Sequence, residues 1–175
     1  MLKELNHKKG LVVLFLIICL GLSACATQGP SHSGFLSDYT KLEKNPNFKG
    51  SWIYFNPDRQ LSSYSRFIVN PVQIRLSTRG KVWDVEKKRL HAISKYIHDE
   101  FVSELTKSNY DVVNAPGPET LVLRIALTEV APTTLTTNRS LLVAGIYLGG
   151  ASAEAELIDS LSGEVVAAAQ ESQKG

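Results

Sequence analysis

Residues Thr120–Val130 read TLVLRIALTEV, and this alternation limits the architectures open to the chain. Leu121, Leu123, Ile125 and Leu127 fall on one side, Val122, Arg124, Ala126 and Thr128 on the other. A period of two is that of a strand. Upstream, Leu90, Ile93, Ile97, Phe101 and Leu105 step by three or four. That spacing predicts a helix from about Val85 to Lys107, capped by Asp84, with those five residues on one face. Lys87, Lys88, His91, Lys95, Asp99 and Ser103 lie largely elsewhere on it.

The remaining segments are short. Arg66–Leu76 alternates and breaks at Pro71, which cannot donate to a ladder and suits an edge or a bulge. Tyr110–Val113 predicts a short strand directly after the helix. Ala151–Asp159 and Glu164–Glu171 predict a hairpin around Ser160-Leu-Ser-Gly163, with Ala153, Ala155 and Leu157 on one face and Glu154 and Glu156 on the other. Gly34–Tyr64, rich in aromatics, Pro and Asn without a clean period, is expected as an irregular arm lying against the domain. This order implies an α+β fold: a two-layer sandwich, one long helix on a mostly antiparallel sheet.

The first 24 residues are expected to take no part in that fold. Lys3, Lys8 and Lys9 outweigh Glu4, and the uncharged run Leu11–Leu22 follows. A bilayer-spanning helix needs about 20 apolar residues, so this shorter run reads as the core of a signal peptide. Leu22-Ser-Ala-Cys25 then resembles the lipobox of bacterial lipoprotein signals. The resemblance implies cleavage before Cys25 and acylation of that cysteine, with palmitate-type chains numerous enough to hold the protein to the bilayer. Residues 25–33 then form the lipidated cysteine and a flexible tether, and 34–175 a single domain. Ala26 stands where an Asp would resemble an inner-membrane retention signal. The resemblance therefore implies the cell envelope, at the periplasmic face of the outer membrane.

Of 19 Lys+Arg and 17 Asp+Glu, the signal takes Lys3, Lys8, Lys9 and Glu4, leaving 16 of each. A neutral domain is a poor nucleic-acid binder, which needs a concentrated basic face. Cys19 is lost with the signal and Cys25 is consumed by lipid, so the domain is expected to stand on its core without disulfides.

No catalytic, cofactor-binding or metal residue is assigned. His91 and His98 lie about 10 Å apart along a helix axis, too far for one ion, and read as a solvated face. Gly-x-Ser-x-Gly is absent. Glu154 and Glu156 share a strand face and could do acid–base work, but a solvent-facing row is the expectation. Ser162-Gly163 is turn chemistry. Gly149-Gly150 is not a phosphate loop, and a sharp backbone turn is expected there. Asn138-Arg-Ser140 matches a glycosylation sequon by chance. The uncharged stretch Leu141–Gly150 reads either as core, favoured for Leu142–Ile146, or as a contact surface for lipid or a partner.

Ser33-Gly-Phe-Leu-Ser-Asp-Tyr39 with Leu42, Tyr64 with Val69-Asn-Pro-Val72, Leu123, Leu127-Thr128, and Glu154-x-Glu156-x-x-Asp159-x-x-Ser-Gly-Glu164 together resemble the bacterial lipoprotein family "domain of unknown function 3313". The resemblance runs from about residue 33 to the end and implies an envelope lipoprotein with no defined catalytic residues. The family pattern continues with a helical segment where this chain stops at Gly175, which implies a truncated copy or a lost helix. The expected role is non-enzymatic: membrane anchoring through acylated Cys25 and binding of another envelope protein. The alternatives are an assembly subunit oligomerising through 141–150 and an unrecognised hydrolase.

Overall fold

The computed structural model describes residues 32–76, 87–132, 141–143 and 146–173, with backbone alone at 87, 131–132, 141–143, 146–150 and 172–173. Residues 1–31 with Cys25, Asp84 and the 138–140 sequon lie outside the described residues. The elements are β1 (Glu43–Lys44), β2 (Ser51–Phe55), β3 (Arg66–Val69), β4 (Gln73–Ile74), α1 (Lys87–Lys107), β5 (Asp111–Val112), β6 (Thr120–Pro132), β7 (Leu141–Val143), β8 (Ile146–Asp159) and β9 (Val165–Gln173).

One long helix and a mixed, mostly antiparallel sheet give the expected α+β class. The sheet order is β1-β2-β9-β8-β6-β3-β5, with β4 beside β6 and β7 beside β8. Three pairings are parallel: β3 with β5, β3 with β6, and β4 with β6. The first of these needs a crossover, which α1 supplies between β4 and β5. β3 and β4 form one track along β6, interrupted at Pro71. Asn70 N donates to Leu123 O before the break and Arg75 N to Leu127 O after it.

α1 covers one face of the sheet. Ile93, at 0% exposure, sits among Val72, Leu123, Ile125, Leu127 and Val130, with Leu90, Ile97, Ala153, Ala155 and Leu157 packed around them. Phe101 departs from the expected buried stripe, at 41% exposure. The helix ends in a Schellman motif: Tyr110 N donates to Leu105 O and Asn109 N to Thr106 O, with Asn109 left-handed at φ 64. Asn tolerates that conformation better than most residues.

Two expectations change. The stretch 34–64 is not wholly irregular, because β2 joins the sheet beside β9 over five rungs, Ser51↔Glu171 to Phe55↔Ala167. Gly149-Gly150 is not a turn: both lie inside β8, and the chain reverses between Val143 and Ile146, which face each other. The core-or-contact choice for the 141–150 side chains lies outside the described residues. The second face of β6 is covered as well. Ala126 is 0% exposed and packs with Phe35 and Leu36 of the N-terminal arm.

Candidate functional site

Glu154 and Glu156 project from the sheet face opposite α1. They are not the solvent-facing row the alternation suggested: Glu154 is 0% exposed and Glu156 1%. Buried carboxylates need partners, and most of these come from the segment 33–39, with Gln170 and Arg124 of the sheet supplying the others. Glu154 accepts from Ser33 N at 3.1 Å and Gln170 Nε2 at 3.3 Å on Oε1, and from Ser33 Oγ and Tyr39 OH, both at 2.6 Å, on Oε2. Glu156 accepts from Ser37 N, from Ser37 Oγ at 3.2 Å and from Arg124 Nη1 at 2.8 Å. Arg124 lies directly across the β6–β8 ladder from Glu156. Its guanidinium also stands 4.8 Å from the Phe35 ring centroid, a cation–π distance.

The arm is shaped for this task by its own residues. Gly34 is left-handed at φ 76, which lets the chain curl without the steric cost a side chain would bring. The curl closes around Tyr39, whose hydroxyl oxygen accepts from the backbone N–H of Gly34, Phe35 and Leu36 at 2.9, 3.0 and 3.3 Å. His32 stacks on the Tyr39 ring with centroids 4.0 Å apart. Asp38 turns the chain onward by accepting from Thr40 Oγ1 at 2.6 Å and Thr40 N at 2.8 Å. The Thr40 hydroxyl is the largest influence holding the Asp38 carboxyl below its ordinary range. Ser33, expected as the last residue of a free tether, is therefore docked.

A second acidic pair closes the β8–β9 turn. Asp159 accepts from Ser162 N at 2.8 Å, Ser162 Oγ and Leu161 N at 3.0 Å, and Tyr64 OH at 2.9 Å. These bonds, the Ser162 N–H foremost, hold its carboxyl down to about 2, against the opposing effect of burial. Glu164 accepts from Arg59 Nη2 at 2.7 Å and Asn56 Nδ2 at 2.9 Å, and Arg59 lowers its pKa most. Burial, then the bond to Asp159, raises that of Tyr64.

Chemically, each of these four carboxylates is an acceptor in use. His91 is exposed, and His98 Nε2 lies 3.3 Å from Val69 O. Among the described residues no group of three His, Cys, Asp or Glu could hold a metal ion, and no helix is long and apolar enough to cross a membrane.

The sequence reading missed Ser33, Ser37, Tyr39, Arg124 and Gln170. One signal for them was present. Val122 and Ala126 put apolar side chains on the second face of β6 as well, and a strand with apolar side chains on both faces calls for cover on both.

Among solved structures, the chain is similar to the PelC dodecamer from Paraburkholderia phytofirmans, at 17% identity over 71% of this chain and 79% of that one, with a TM-score of 0.42. It is also similar to lipoprotein GNA1162 from Neisseria meningitidis, at 15% identity over 62% and 84%, with a TM-score of 0.35. Likeness at this level bears on no residue's role. No curated protein matches the chain. The family model described as "Protein of unknown function (DUF3313)" matches residues 31–175, so the chain belongs to that family.

Proposed function

We propose that the chain is an envelope lipoprotein, acylated on Cys25 and held at the periplasmic face of the outer membrane, with a non-enzymatic binding role. The anchoring rests on Leu22-Ser-Ala-Cys25 directly behind a charged, then apolar, leader. The non-enzymatic part is carried by one observation. Glu154 and Glu156, the carboxylates best spaced for acid–base work, are closed to solvent and accept from the chain's own arm. A general base must reach the proton it takes, and here the arm stands in the way.

The docked arm also suits a tethered protein. Only residues 26–32 separate Cys25 from docked Ser33, so an anchor at Cys25 keeps the domain near the bilayer. Metabolic labelling with a fatty acid tests the reading: wild type takes up label and Cys25→Ser does not. Equal labelling of both would contradict it. Envelope crosslinking of the acylated protein then identifies the binding partner.

A further inference from the structure

We infer that the α1 side of β8, β9 and β2 is a docking groove for an amphipathic helix of a partner protein, one with basic residues along its flanks. It rests on the binding role proposed above and names where that role is exercised.

Residues paired directly across a ladder share a face of the sheet. Leu123, Ile125 and Leu127 put Leu157, Ala155 and Ala153 on the side of α1. The rows continue outward from there: Leu157 to Ala167 and Phe55, and Ala155 to Ala169 and Ile53. On β8 the usual burial is inverted. Ser152, Glu154 and Glu156, its polar residues, are buried, whereas Ala153, Ala155 and Leu157 are only half-buried. Ala169 and Ile53 are half-buried as well, and Phe55 at the margin is 57% exposed. Open apolar surface of this kind marks a contact site.

α1 sits to one side of this face. It packs on β3, β4 and β5 and, through Ile93, on β6. Phe101 comes one turn after Ile97 on the sheet-facing stripe, yet it is exposed. Tyr96, on the flank away from His98 and β3, is exposed too. The half-open floor and the bare Phe101 then have one cause, a space beside α1 that no described residue fills. From β8 to β2 the sheet is about 10 Å wide, the diameter of one helix.

Charge selects the occupant. On the α1 bank Lys107 bonds Glu104 at 2.7 Å and also feels Glu100, so two carboxylates share one ammonium. Arg89, two turns before Tyr96 on that flank, already has a partner. On the far bank Glu43 pairs Ile53, which puts it on the same face, and it is exposed. A helix with basic flanks complements both banks. A second copy does not: the same face would oppose its carboxylates to these. Among the described residues its one α-helix, α1, has its apolar stripe turned to its own sheet.

The probe is a synthetic amphipathic peptide of about 18 residues, about 27 Å long as a helix. It has an Ala/Leu face carrying a benzophenone, and Lys on both flanks. It is irradiated with the acylated full-length protein in neutral detergent, and the crosslinked residues are mapped by mass spectrometry. Crosslinks should gather on Ile53, Phe55, Phe101, Ala155 and Ala169. Their yield should be several-fold above that of a Glu-flanked peptide and of a scrambled Lys peptide. Glu43→Lys with Glu100→Lys, both at exposed positions, should reverse the preference between Lys and Glu flanks. Crosslinks scattered over the surface, equal yields from the three peptides, or an unchanged preference in the double variant overturn the inference. A protein dimer whose self-crosslinks fall on these same residues overturns it too, because the groove then seats a second copy. An unlabelled Cys25 in the fatty-acid experiment removes the anchor and leaves this groove, whereas scattered crosslinks on an acylated protein remove the groove alone.

Discussion

The Tyr39 hydroxyl donates to Glu154 Oε2 at 2.6 Å while its oxygen accepts from three successive backbone N–H groups of the arm. One atom thus ties the curl of the arm to a fully buried carboxylate of the sheet. Tyr39→Phe removes that atom and leaves Glu154 short of a donor. The expected loss is about 1–3 kcal/mol, the usual range for a buried group left unsatisfied. Urea melts of Tyr39→Phe, Glu154→Gln and the double variant should show a coupling energy of about 1 kcal/mol or more. Strictly additive effects would mean the bond contributes nothing.

Arg124 and Glu156 form a cross-strand ion pair at 2.8 Å, with Glu156 buried. Arg124→Ala leaves the Glu156 charge with the Ser37 donors alone and also removes the partner of the Phe35 ring. Breaking a buried pair on one side costs about 3–5 kcal/mol. Arg124→Met with Glu156→Gln should be markedly milder than Arg124→Ala, because no bare charge remains. A denaturant series on the three proteins gives the order directly.

Asp159 supplies a pH dependence. Its folded carboxyl sits at about 2 rather than 3.8, so the native state binds the proton less tightly than the unfolded chain. The stabilisation is full above pH 4 and fades as pH falls from 4 toward 2, at most about 2 kcal/mol. Asp159→Asn should flatten that part of the stability–pH curve. An unchanged slope between pH 4 and 2 would show that the turn does not hold this proton.

Ile93 and Lys95 lie two residues apart on α1 and behave oppositely. Ile93 has no exposure, whereas Lys95 is exposed and pairs Asp99. Ile93→Asp should unfold the domain or lower its stability by several kcal/mol, as expected for a bare buried charge. Ile97→Asp should follow the same direction with a smaller loss, since Ile97 is only partly buried. Lys95→Asp should cost about 1 kcal/mol or less. Thermal melts of the three proteins measure the difference.

Much of the fold was legible because its signals are local. The alternation of β6, the period of α1, the Pro71 break and the β8–β9 hairpin each announce themselves within a dozen or so residues. β2 was hidden because its aromatic run does not alternate and its partner, β9, lies far along the chain. Gly149-Gly150 misled because glycine permits a turn without requiring one. Glu154 and Glu156 misled more seriously. Alternation tells which residues share a face but not what covers it, and the cover here is a segment more than a hundred residues away in sequence. The family pattern quoted Ser33–Tyr39 and Glu154-x-Glu156 as separate pieces, and only the structure shows that the donors of the first meet the acceptors of the second.

Amide hydrogen exchange at Gly34, Phe35, Leu36 and Ser37 tests that docking most directly. Their N–H groups are bonded to Tyr39 OH and to Glu156 Oε1, so in the wild type they should exchange orders of magnitude more slowly than free peptide amides. In Tyr39→Phe they should become fast while the β6 and β8 amides stay protected, as expected for local release of a unit from an intact domain. Rapid exchange at these four amides in the wild type, beside a protected sheet, would contradict the account.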